Sequence, residues 1–251
     1  MILMPDPRVI GVVSQKGGVG KTAIAVNLSV VLRLKGYKVL IVDGDASNPN
    51  IGLQMGMETA NIGFKELATK RDKLDSIAAI HGATGVHVIL GTLRSKPFLL
   101  TKNDIKRLAA KFKGCSYDFV ILDTSPGFYE PEVMSLLDDA LLVATPDTPA
   151  VTGILRLNRI LKGMGINRYI VLNRVKGEKY ELQPDEIEDA TQGKVVASLP
   201  DDGIVGESLA ERIPACMINK NSEFSKAVAK LANTLSAGKR RIPDLLGPRG
   251  N

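Results

Sequence analysis

Between Gln15 and Thr22 the chain reads Gln15-Lys16-Gly17-Gly18-Val19-Gly20-Lys21-Thr22, a cluster of glycines with two lysines and a hydroxyl. Glycines let a backbone turn so that several N–H groups converge on one anion, and a helix beginning there adds its partial positive charge. In such a loop Lys21 would reach the outer phosphates of a nucleotide as a point charge, while the Thr22 hydroxyl would bind Mg²⁺. Carboxylates stand at compatible places further along. Asp43 and Asp45 follow one apolar run, and Asp123 closes another just before Thr124-Ser125-Pro126-Gly127. Acids at the C-terminal ends of strands lie at the crevice where ligands bind in open parallel sheets.

These groups need a scaffold that carries them to one edge. Apolar, β-branched runs occur at 9–14, 39–42, 86–90, 119–122, 140–144, 169–172 and 195–199, and segments with helical spacing lie between them at 23–34, 104–112, 151–161 and 224–235. Several runs are apolar on both faces, as expected of strands covered by helices on each side. The alternation predicts an α/β fold, with a doubly wound, mostly parallel sheet and helices on both faces. No linker or internal repeat divides the chain, so residues 1–238 are expected to form one domain and 239–251 a basic, flexible tail.

The 251 residues include 33 Lys+Arg, 27 Asp+Glu and 44% hydrophobic residues, which suits a globular protein and excludes a disordered polyelectrolyte. The two cysteines, Cys115 and Cys216, are far apart in sequence, and only His81 and His87 could supply imidazole. That usage argues against a disulfide scaffold or zinc module and predicts a reducing, cytoplasmic location. Neither a long apolar run nor a signal-peptide pattern at the start opposes it.

The sequence Lys16-Gly17-Gly18-Val19-Gly20-Lys21-Thr22 resembles the deviant Walker A of the MinD/ParA family of dimerising P-loop ATPases, which is related to the nitrogenase iron protein and the Mrp-type carriers. The segment Asp43-Gly44-Asp45 is similar to that family's first switch, and 120–127 looks like its Walker B strand running into the second. The resemblance implies Mg²⁺-dependent ATP hydrolysis to ADP in a dimer that forms with ATP. Lys16 would then reach across to the partner's nucleotide, much as an arginine finger does. It also implies that Thr22, Asp43 and Asp123 hold the magnesium shell, that Asp45 positions the attacking water, and that 16–23 cradles the phosphates. Leu172-Asn173-Arg174 and Leu199-Pro200-Asp201-Asp202 fall where the family builds its adenine pocket, with Asn173 on the base edge and Pro200 and Asp202 shaping the wall. The sequence departs from its relatives at Ala23, where many have a second hydroxyl, and at Gly153, often Asp in MinD-like members. Both departures imply slow turnover, stimulated by a regulatory activating protein.

The net charge of +6 is concentrated. Segment 94–113 holds Arg94, Lys96, Lys102, Lys106, Arg107, Lys111 and Lys113 against Asp104 alone, and 156–176 holds Arg156, Arg159, Lys162, Arg168, Arg174 and Lys176 with no acid. Segment 181–211 is acidic. A solvated surface accounts for any one such run. In a ParA-like reading they contact nonspecific DNA through its phosphates. In a MinD-like reading the tail, with Lys239, Arg240, Arg241, Ile242, Leu245 and Leu246, binds a membrane surface, although Pro243 and Gly247 leave under two helical turns. Both readings place the dimer on a surface and imply a positioning role in division, partition or organelle placement. A different class of function, a metal or iron–sulfur carrier, would need closely placed thiolates. A third reading makes the chain a regulatory partner-binding protein, with Met55, Met57 and Met134 as its contact, although methionines at such positions usually fill core.

Overall fold

The computed structural model describes residues 6–45, 47–58, 63–69, 74–91, 101–127 and 131–238. Arg94, Lys96 and the tail 239–251 therefore lie outside the described residues. Strands are β1 (Arg8–Val13), β2 (Val39–Asp43), β3 (Ala79–Ile80), β4 (His87–Ile89), β5 (Phe119–Asp123), β6 (Asp139–Ala144), β7 (Asn167–Val175) and β8 (Lys194–Pro200). Helices are α1 (Lys21–Leu34), α2 (Ile51–Gln54), α3 (Phe64–Thr69), α4 (Leu74–Ile77), α5 (Lys102–Lys113), α6 (Pro131–Met134), α7 (Thr148–Gly163), α8 (Pro184–Thr191), α9 (Gly203–Glu211), α10 (Ala215–Ile218) and α11 (Glu223–Ser236).

The strands form one sheet in the order β3-β4-β2-β5-β1-β6-β7-β8, parallel throughout except for the edge strand β3. Chain order reverses on either side of β1, which makes the sheet doubly wound, as the sequence predicts. Strand side chains alternate between two cores. Val9, Leu40, Val42, Val120 and Leu142 face one, which α3, α5, α6, α7 and α8 cover; Ile10, Val12, Ile41, Ile121 and Val143 face the other, beneath α1, α2, α9, α10 and α11. Burial on both faces is why these runs lack the polar alternation of a half-exposed strand.

α5 starts with a capping box in which Thr101 accepts from the Asp104 amide and Asp104 accepts from the Thr101 amide. α7 starts at Asp147, whose side chain accepts from Ala150 N. α1 is different. It is buried almost all round, and no side chain caps its N-terminus at Gly20. Four N–H groups at the start of a helix lack intrahelical partners, so the first turn of α1 presents an uncapped positive end.

Candidate functional site

The strands β1, β2 and β5 end side by side, and the loops that follow them build the site. Gly20, with φ of +94°, makes the turn into α1; a Cβ there would lie 2.2 Å from Asn173 Nδ2. Asn173 donates that amide to Val19 O at 2.7 Å, so β7 clasps the loop from the other side of β6. Lys21 is 6% exposed and donates to Ser14 Oγ at 3.0 Å. Burial lowers its pKa, against the pull of Asp123 and Asp45. Lys16 points out of the loop toward Asp147, at 3.7 Å, with half of its side chain exposed. Burial would raise the Asp147 pKa, but the Thr145 hydroxyl, the Ala150 amide and Lys16 together hold it below its ordinary value.

Three acids meet where β2 and β5 end. Asp43 lies beside Asp123 in the strand pairing, and both are buried. Asp43 accepts the amides of Asp45 and Ile51, one on each oxygen. Burial nevertheless pushes its carboxyl up to about 6. Asp123 accepts the Thr22 hydroxyl on Oδ2 at 2.6 Å, while its buried Oδ1 has no partner. Burial, opposed by Thr22 and Lys21 but reinforced by Asp43 and Asp45, raises this carboxyl to about 7.

A buried carboxylate oxygen without a donor is costly. The donor set fits a hydrated divalent cation, because a Thr22 hydroxyl that donates to Asp123 keeps its lone pairs for a metal and the orphaned Oδ1 can accept from a metal-bound water. Bound with a nucleotide, such a cation would neutralise phosphate charge. Thr22, Asp43 and Asp123 are the residues that could hold its shell.

A cleft of about 380 Å³ opens over the loop, lined by Gly18, Gly20, Lys21, Thr22, Ala23, Asp45, Asn173, Pro200 and Asp202. The structure thus brings together most of the residues that the sequence nominates. Lys16, Gly17 and Val19 stand on the same loop outside the lining, and Asp43 and Asp123 lie beneath it. Asp202 spends its carboxylate on the amides of Ile204 and Phe224, so it ties α9 to α11 and fixes the cleft wall. Arg174, beside Asn173, lines the cleft as well; Asn48, Asn50, Gln54 and Leu209 also line it, and the sequence did not single them out for it. Arg174, with φ of 57°, sits in the left-handed region directly after Asn173. The β7–β8 register shifts between Leu172 and Val175, an irregularity within the strand that coincides with these cleft residues.

The description "CobQ/CobB/MinD/ParA nucleotide binding domain" matches residues 10–215. The chain belongs to this family. An uncharacterized ATP-binding protein of Methanocaldococcus jannaschii is 32% identical over 232 residues, covering 91% of this chain and 88% of that protein. The septum site-determining protein MinD of Pyrococcus horikoshii, solved with Mg-ADP, is similar at 29% identity and a TM-score of 0.79, over 92% of this chain and 96% of that one. The cell division ATPase MinD of Pyrococcus furiosus follows at 28% and 0.78, over 91% and 98%.

In this MinD/ParA-type chain the remaining candidates for chemistry are structural. Cys115 packs in the core beneath α5 and Cys216 in the core on the opposite face of the sheet. Burial raises their thiols to about 11 and about 12, and neither lines the cleft. His81 Nδ1 is bonded to Thr84 Oγ1, and His87 Nδ1 to the Tyr117 hydroxyl. Met55 and Met134 are buried core residues, which removes both from any partner-facing surface.

Of the predicted basic segments, Lys102, Lys106, Arg107 and Lys113 on α5 and Arg156, Arg159 and Lys162 on α7 are exposed, and both helices cover the same face of the sheet. Arg168 instead bonds Asn158 and Ile166 O, Arg174 lines the cleft, and Lys176 pairs with Asp201 at 3.6 Å. No helix among the described residues is long and apolar enough to cross a membrane.

Proposed function

We propose that this chain is a nucleotide-driven positioning switch. It binds ATP with Mg²⁺ in the cleft, pairs with a second copy across the bound nucleotide, engages a polyanionic surface as that dimer, and separates after hydrolysis to ADP. Residues 1–238 act as one ATPase domain, with 239–251 as a basic extension. The observation that carries this reading is the anion site: an uncapped helix N-terminus, a buried Lys21 and an orphaned Asp123 oxygen meet at one strand edge. The Mg-ADP held by the Pyrococcus horikoshii relative supports the same assignment.

In this reading the N–H groups of 17–23 and the Lys21 ammonium bind the phosphates, and Thr22, Asp43 and Asp123 hold the cation. Asp45 orients the attacking water. Lys16, exposed at the rim, leaves Asp147 to meet the partner's nucleotide and adds positive charge where negative charge spreads. Asn173, Pro200 and Asp202 wall the base. With Ala23 contributing no hydroxyl, turnover is slow and depends on an activating protein.

The surface is the DNA backbone, contacted by the α5 and α7 cations, because these helices share one face and pairing would double the field they present. Binding of DNA and of anionic liposomes should be measured with ATP at low and high salt. DNA binding that needs ATP, falls steeply with salt and weakens in Lys106→Glu/Arg107→Glu supports the reading. Liposome binding lost on removing 239–251, without DNA binding, would make the surface a membrane. Binding to neither would overturn the surface-bound switch.

A further inference from the structure

The pairing of β2 with β5 does not stop where the strands do. Asp43 stands beside Asp123 in the ladder, and Gly44 N donates to Asp123 O at 2.8 Å. One step further the same pairing is continued by side chains: Ser125 Oγ donates to Asp45 Oδ1 at 2.9 Å. A serine in a turn usually bonds its own neighbouring backbone. This hydroxyl instead spans 80 positions of sequence to reach the carboxylate that lines the cleft.

Ser125 is itself held on a pinned segment. Before it, Thr124 Oγ1 donates to Val12 O at 2.9 Å; after it, Gly127 N donates to Ser14 O at 3.0 Å. Both anchors are on β1 or its end, which leads into the phosphate loop. At the other end of the bond, Asp45 Oδ1 also accepts the amides of Ser47 and Asn48, at 3.1 and 3.0 Å. Three donors therefore converge on one oxygen, and Ser125 supplies the side-chain donor among them. Oδ2 takes no hydrogen bond from the described residues.

We infer that Ser125 is a positioning residue for hydrolysis: its hydroxyl fixes the Asp45 carboxylate so that Oδ1 is saturated and Oδ2 is presented to the attacking water. The inference rests on the role given to Asp45 above. The amides of Ser47 and Asn48 belong to the same turn as Asp45 and move with it, so they cannot set its orientation relative to the phosphate loop. Ser125 can, because it is tied to β1. Loss of its hydroxyl leaves the nucleotide contacts intact but lets the Asp45 carboxylate rotate away from the water. Displacement on that scale reduces the rate of the chemical step and leaves affinity unchanged.

The test compares the full-length parent chain with Ser125→Ala, Ser125→Thr, Asp45→Ala and the double variant, using single-turnover hydrolysis of Mg-ATP, ATP affinity and thermal unfolding. Ser125→Ala should hydrolyse about tenfold more slowly, with ATP affinity within about twofold and an unchanged melting temperature. Ser125→Thr should recover to within about threefold, and Ser125→Ala/Asp45→Ala should be no slower than Asp45→Ala alone. Without nucleotide, the amide proton shifts of Ser47 and Asn48 should move in Ser125→Ala, since they report the orientation of Asp45. If Asp45→Ala is inactive while Ser125→Ala keeps the parent rate, the positioning role is wrong and the role of Asp45 stands. A Ser125→Ala variant that loses affinity and stability as much as rate would also overturn it. If Asp45→Ala keeps the parent rate, the reading of Asp45 falls, and this inference falls with it.

Discussion

Replacing Asp123 by Asn should stabilise the nucleotide-free protein at alkaline pH while removing its cation response. Burial raises the Asp123 carboxyl from 3.8 to about 7, a difference that corresponds to about 4 kcal/mol against its ionised form. The folded state therefore holds this proton more tightly than the unfolded chain does, and the associated stability is lost as pH rises through the folded value. Between pH 6 and pH 8 the folded carboxyl passes from mostly protonated to mostly ionised while the unfolded one stays ionised, which costs about 1.4 kcal/mol. Asp43, raised to about 6, loses a further fraction over the same window. The sum is about 2 kcal/mol, or a fall of roughly 4–8 °C in Tm for a chain of this size. His81, with its pKa lowered by burial, acts in the opposite direction, but it is common to both proteins and cancels in the difference. Thermal unfolding of the parent and Asp123→Asn at pH 6 and pH 8, with and without millimolar MgCl₂, reads the effect. The variant should lose most of the pH dependence, melt above the parent at pH 8, and ignore Mg²⁺, which should stabilise the parent more at pH 8 than at pH 6. A variant with the same pH dependence as the parent, or one less stable than the parent at pH 8, would overturn this assignment of Asp123.

Lys21→Ala removes the buried ammonium and should weaken ATP binding at least about thirtyfold in a fluorescent-nucleotide titration; parent-like affinity would remove the phosphate loop assignment. Gly20→Ala forces a side chain into a φ of +94° and against the Asn173 amide, so denaturant unfolding should show a loss of about 2 kcal/mol or more. Gly153→Ala brings a methyl to 2.5 Å from Gln15 Cβ and should slow hydrolysis more than it lowers stability, because the displaced Gln15 leads directly into Lys16. Equal losses of rate and stability would assign Gly153 to packing alone.

Much of this fold is written locally. The β-branched runs before the phosphate loop and before Asp43 and Asp123 are buried on both faces, so composition alone marks them as strands of a covered parallel sheet. The helices α1, α5, α7 and α11 are long enough to show a period. By contrast α2, α4, α6 and α10 each span about one turn, too short for periodicity to register. α8 buries only Ile187 and Thr191 and is announced by Pro184 and a capping box rather than by an apolar stripe.

The site divides in the same way. The phosphate loop is legible because its glycines and lysines act through adjacent backbone. The Ser125–Asp45 bond, the Asn173–Val19 clasp and the placement of Asn48 over the cleft depend on which strands become neighbours, and no local pattern carries that. Asp202 shows the reverse: its position was legible, while its work in tying α9 to α11 is visible only in three dimensions.

The most direct test of the switch is the mass of full-length Asp45→Ala in solution by size-exclusion chromatography with light scattering, in Mg-ATP and in Mg-ADP. ATP should give a dimer and ADP a monomer, and adding Lys16→Ala should give a monomer in both. A monomer with ATP, or a dimer that forms equally with either nucleotide, would contradict it.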